Sequence, residues 1–114
     1  MKKRSYRDYL EDISDAVEDI ASFIEGMSKR DFLRDKKTIN AVIRSLEVMG
    51  EASKKIPGTI KKRHPSMPWK KMAGMRNKMI HEYFGVDKEI LWSTAKNDVP
   101  TLREPINILL SESG

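Results

Sequence analysis

The chain has 114 residues, 39% of them hydrophobic and 34% charged, which allows one domain with a modest core and argues against disorder. It contains no cysteine, which excludes a disulfide framework, a thiolate metal site and covalent thiol chemistry, and makes a reducing cytosol the simplest home. The net charge of +5 is unevenly spread: from Ala52 to His81 there is no Asp or Glu but there are nine Lys and Arg, between near-neutral and acidic flanks, as expected where one surface meets a polyanion.

A solvated lysine-rich face would give the same count, so charge alone leaves both readings open. The N-terminus, "MKKRSYRDYLEDIS", is basic, but acids follow at once and the apolar run of a signal peptide is missing. No later segment approaches the ~18 apolar residues of a membrane span. A soluble intracellular protein, with no membrane partner, is expected.

Tyr6, Tyr9, Leu10, Ile13, Val17, Ile20, Ile24 and Met27 recur at spacings of three and four, which predicts a first helix over residues 5 to 27. Ser28 and Asp31 form a capping-box pattern, so "SKRDFLRD" reads as a short helix or turn across the bundle end. A second long stripe runs from Ile39 to Ile56 and stops at Pro57 and Gly58. Gly50 lies inside it, where a missing side chain permits close helix approach at a propensity cost of ~1 kcal/mol.

"IPGTIKKRHPSMP" reads as a loop or a single helical turn, with His64 exposed in it. Pro68 then suits the first position of a helix running to about Tyr83 and ending near Gly85. Asp87 can cap "KEILWSTAKN", and Asp98 with Pro100 starts or kinks the last helix, which carries Leu102, Ile106, Leu109 and Leu110. Nothing alternates with period two over a useful length. The expected architecture is an all-α, up-and-down bundle of about five helices, one domain over residues 1–114.

The stretch "MRNKMIHEYFG" carries the chemistry. On a helical wheel at about 100° per residue, Arg76 falls in the middle of the apolar arc, with Asn77 and His81 on one polar shoulder and Tyr83 almost directly above Arg76. A buried unpaired guanidinium costs several kcal/mol, so it requires a partner or a wet cleft. One reading has Arg76 pairing with Glu47 or Glu51 and holding two helices together. For His81 the simple reading is a favourable interaction with a helix C-terminal dipole.

Together, a histidine near neutral pKa, a guanidinium with bidentate donors, an amide and a basic surround can handle a phosphodiester. RNA needs no metal for this, because its own 2′-hydroxyl can attack the adjacent phosphorus while histidine moves a proton and arginine stabilises the transition state. One histidine per chain supplies one of two proton transfers. A symmetric homodimer would bring a second His81 and Arg76 to the same cleft. Asn40, Arg44, Glu47 and Glu51 form a polar stripe on the second long helix; either it is a salt-bridged surface or it lines this cleft with Glu51 orienting Arg76. His64 and His81 make no recognised metal spacing, and there is no glycine-rich phosphate loop or Ser-His-Asp set, so neither metal nor cofactor is expected.

The chain resembles a HepT-type member of the HEPN family, the toxin half of a two-gene, type VII-like toxin–antitoxin pair. The resemblance rests on "RNKMIHEY" and extends through "YLEDISDAVEDI", "DFLRDKKTINAVIRSLEVMGEASKKIP", "HPSMPWKKMAGMRNKMIHEYFGVD" and "LWSTAKNDVPTLREPI". It implies a helical homodimer with metal-independent endoribonuclease activity and a composite site of Arg76 and His81 supported by Asn77. It also implies that a partner nucleotidyltransferase antitoxin adenylylates Tyr83 to silence the toxin. Lys70, Lys71 and Lys78 are the candidate RNA contacts. A non-catalytic subunit that holds nucleic acid or the nucleotidyltransferase in the same basic cleft is the alternative, and a purely structural bundle a third.

Overall fold

The computed structural model describes residues 4–75, 80–81 and 85–113, with only the backbone described at Ile80 and His81. The first long helix, α1, spans Tyr6–Ile24, and its stripe buries Leu10, Ile13, Val17, Ile20 and Ile24, while Tyr6, Tyr9 and Met27 pack at the margin of the core. It ends before Gly26, whose φ of 76° is open to glycine at little cost. Then comes α2, Lys29–Leu33, with the reciprocal cap the sequence predicts: the Asp31 N–H donates to Ser28 Oγ and the Ser28 N–H to Asp31 Oδ2, both at 3.1 Å. Phe32 anchors this short helix, fully buried with its ring 5.3 Å from that of Trp92.

The second long helix, α3, covers Lys36–Lys54 and starts where Asp35 accepts the Thr38 N–H at 3.0 Å. It packs along α1, and Ile39, Val42, Leu46 and Met49 supply its half of the interface. The segment expected as a loop or a single helical turn takes the helical alternative, forming α4 at Gly58–Arg63, whose Ile60 reaches the core. The next helix, α5, occupies Trp69–Ala73 only, with Pro68 as its cap residue. The expected helix over residues 68 to 83 is therefore corrected: it stops at Gly74, a poor helix former, and Ile80–His81 (β1) pairs antiparallel with Gly85–Val86 (β2).

Asp87 caps α6, Lys88–Ser93, by accepting the Ile90 N–H at 3.1 Å. The run continues through a π-helical turn at Thr94–Asp98 and a 3-10 turn at Val99–Leu102 into α7, Arg103–Ser113. Pro100 accounts for the irregularity, because it has no N–H to donate and its ring would strike the carbonyl four residues back in a regular helix. The Val99 N–H reaches back to Thr94 instead, and buried Thr94, Ala95 and Val99 keep the rod on the core. The C-terminal helix is tied to α1 twice: Arg103 forms a two-pronged pair with Glu18 at 2.6 and 3.1 Å, and Arg7 donates to the Leu110 carbonyl at 2.8 Å. The result is an all-α bundle around one contiguous core, with a two-residue ladder beside it. No helix among the described residues is long and apolar enough to cross a membrane.

Candidate functional site

Gly50 decides where α5 lies. A Cβ on this residue would stand 3.3 Å from the Ala73 carbonyl oxygen and 3.5 Å from that of Met72, so α5 rests backbone against backbone on α3, as the glycine in the stripe predicts. Met72 and Trp69 fix it from the core side. The Trp69 indole N–H donates to the His64 carbonyl at 3.1 Å, satisfying a donor that burial would otherwise leave unpaired.

A groove of about 450 Å³ runs between α1 and α3 and reaches Ala73, a volume within the range of small-molecule sites. From α3 it takes Arg44, Glu47 and Glu51 of the predicted polar stripe, then Lys54 and Lys55; Asn40 is exposed and is not among its lining residues. Arg44 stands 3.7 Å from Glu47, and Glu51 pairs with Lys54 at 3.4 Å. The opposite wall is a group that the sequence reading did not single out as functional: Arg4, Tyr9 and Asp12. The Arg4 guanidinium lies 4.6 Å from the centre of the Tyr9 ring and 2.8 Å from Asp12. Its hydrogen bond to Asp12 raises its pKa above the ordinary guanidinium value. The three-residue spacing of Tyr9 and Asp12 on α1 was the available signal, masked because Tyr9 also belongs to the apolar stripe.

Of the predicted site residues, Glu51 lies in this groove, while Lys70 and Lys71 are exposed on α5, Lys71 at 3.9 Å from Asp98. Arg76, Asn77, Lys78 and Tyr83 lie outside the described residues. His81 pairs through its backbone with Gly85 in the short ladder, so it does not sit in a last helical turn. His64, expected as an exposed loop residue, is half-buried instead, with Nε2 at 3.2 Å from Glu112 of α7. The Trp69 contact pulls its backbone inward. Among the described residues, no three His, Asp or Glu side chains converge to hold a metal ion.

Comparison with known proteins gives the family. The Ribonuclease HepT-like family matches residues 13–109. A Thermococcus cleftensis protein named "Probable ribonuclease HepT" is 56% identical over 101 residues, covering 89% of this chain and 92% of its own. A Methanocaldococcus jannaschii protein whose name carries the designation RNase is 41% identical over 112 residues, covering 98% and 93%. A third, from Caldanaerobacter subterraneus subsp. tengcongensis and likewise designated an RNase, is 41% identical over 106 residues, covering 93% and 95%. No solved structure gives a significant match. A family match across most of the chain, with its helical bundle and signature stretch, assigns this protein to the HepT-like ribonuclease family.

Proposed function

We propose that the chain is a metal-independent endoribonuclease, the toxin component of a toxin–antitoxin pair, acting as a homodimer with one composite site built from Arg76 and His81 of both subunits. The observation that carries this reading is the family match over residues 13–109, which encloses the "RNKMIHEY" signature within the basic stretch from Ala52 to His81. In the proposed reaction one imidazole takes the proton of an RNA 2′-hydroxyl, and the 2′-oxygen attacks the adjacent phosphorus. The 5′-oxygen leaves with a proton from the second imidazole. The products are a 2′,3′-cyclic phosphate and a 5′-hydroxyl. Arg76 stabilises the extra negative charge of the transition state, Asn77 supports it, and Glu51 at the groove wall orients it.

Lys70, Lys71 and Lys78 hold the phosphate backbone in this scheme. Silencing follows from the same site: a partner nucleotidyltransferase adenylylates Tyr83, and the added nucleotide occupies the place of the substrate. The test is to incubate the purified chain with a mixed RNA pool in chelator, beside His81→Ala. The wild type cuts and leaves cyclic phosphates, and His81→Ala loses activity by ~10²–10⁴-fold while still binding RNA. RNA bound equally by both proteins and cut by neither would replace the nuclease reading with that of a binding subunit. Activity from a chain that light scattering finds monomeric would remove the shared site. In the same assay Tyr83→Phe stays active in the presence of the antitoxin; if it is silenced like the wild type, the modification lies elsewhere.

A further inference from the structure

The wall formed by Arg4, Tyr9 and Asp12 has no part in the chemistry above, yet it combines three recognition elements. Tyr9 lines the groove, and one face of its ring is covered by a guanidinium at 4.6 Å. Asp12, three residues further along α1, lines the same groove. Arg4 bridges the two, with Nη1 at 2.8 Å from Asp12 and Nη2 at 3.3 Å from the Asp8 carbonyl. Its side chain is about half exposed, at 48%, and that of Asp12 is at 30%. Such a surface pair is worth little and shifts at low cost, so Arg4 can leave the ring face without disturbing the fold.

An aromatic face that a mobile cation can vacate is a platform for an unpaired base, because single-stranded RNA is recognised by stacking and by hydrogen bonds to exposed base edges. The carboxylate selects among the bases. Only guanine presents two adjacent donors, N1–H and the N2 amino group, to two carboxylate oxygens. Adenine and cytosine place a ring acceptor beside their amino group, which a carboxylate repels, and uracil offers a single N–H. The phosphates flanking such a base find Lys55, and Lys54 once it exchanges its exposed pair with Glu51 for a phosphate, on the α3 side of the same groove. The groove also reaches Ala73, at the entry to the signature segment.

We propose that the groove between α1 and α3 is a guanine site for single-stranded RNA, in which the base stacks on Tyr9, donates N1–H and N2–H to Asp12 and is covered on its outer face by Arg4. Its use as a specificity site rests on the ribonuclease reading, whereas binding itself does not. The probe is a 2′-O-methyl heptamer, which lacks the attacking hydroxyl, of sequence UUUGUUU, compared with its inosine and all-uridine counterparts by fluorescence anisotropy at fixed salt. The wild type binds the guanine heptamer about ten-fold or more tighter than all-uridine, with inosine close to all-uridine because, like uracil, it offers a single N–H and adds only the stacking of a larger ring. Asp12→Asn and Tyr9→Leu abolish the preference, and Tyr9→Phe keeps it.

Equal binding of the three heptamers by the wild type overturns the proposal, as does a preference that survives undiminished in Asp12→Asn. That variant alters no core contact and decides the question by itself if Tyr9→Leu fails to fold. The all-ribose heptamers, run in parallel, separate the two readings. Guanine-selective binding without cleavage removes the ribonuclease reading and leaves the site; cleavage with no dependence on guanine does the reverse.

Discussion

At the scale of single residues, Asp31 and Asp35 tie local stability to pH. The backbone N–H of Ser28 first, and its hydroxyl second, hold the Asp31 carboxyl below the ordinary aspartate range. For Asp35 the same roles fall to the N–H and then the hydroxyl of Thr38. A carboxyl whose pKa is lower folded than unfolded contributes stability that is complete above the unfolded value, about 3.9. That contribution is lost as pH falls through the folded value. The starts of α2 and α3 should therefore weaken below about pH 4 and be unaffected at neutrality. A carboxyl-carbon NMR titration checks this: both groups should titrate below the usual aspartate value, and Thr38→Val should move Asp35 only part of the way back, because the N–H bond remains. Ordinary titration of either group would contradict the capping geometry.

At the scale of elements, the contact of α3 with α5 is set by Gly50, which fixes how closely the two backbones approach. Alanine there improves helix propensity by ~1 kcal/mol, but its Cβ would stand 3.3 Å from a backbone oxygen of Ala73, and backbone yields less readily than a side-chain tip. Overpacking of this kind costs about 1–3 kcal/mol. Gly50→Ala should therefore lower stability by about 1 kcal/mol net in urea unfolding, despite the better helix former. A variant more stable than the wild type would mean that α5 moves freely on α3. The rod from α6 to α7 makes a related point, since Pro100 is accommodated by a wide turn and a tight one while the buried face from Leu91 to Leu109 remains continuous.

At the scale of the whole molecule, the separation of charge along the chain becomes a prediction about salt. A protein that neutralises phosphates releases counterions, and for single strands log K falls with log salt at about 0.7 per phosphate contact. Lys70 is exposed on α5 and should carry a full contact. Lys71 stands 3.9 Å from Asp98 and is partly neutralised already. In binding measurements over a salt series, Lys70→Ala should reduce the slope by about 0.7 and Lys71→Ala by less. Equal slopes for wild type and Lys70→Ala would move the RNA off this face.

The long helices were legible because apolar periodicity and cap chemistry act over one or two turns, within reach of neighbouring residues. Thus the stripes of α1 and α3, the Ser28–Asp31 cap, the Asp87 cap and the close approach at Gly50 all stand in the structure as their residues predict. The signature motif was equally legible, since it is a local pattern of residue types. The helix expected through residue 83 was not, because periodicity cannot tell whether a short apolar run continues past a glycine or turns into a ladder. That choice depends on what packs against the run, and here β1 finds β2. His64 was misread for the same reason: its burial comes from Trp69 and Glu112, five and 48 positions away. The groove wall of Arg4, Tyr9 and Asp12 faces Glu51 and Ala73 only after α1 packs along α3 and α5 settles on Gly50. The sequence by itself determined the two long helices, the caps at Ser28 and Asp87, the basic stretch and the family; tertiary packing alone decided which polar side chains share a groove, because that proximity is set by contacts between distant segments.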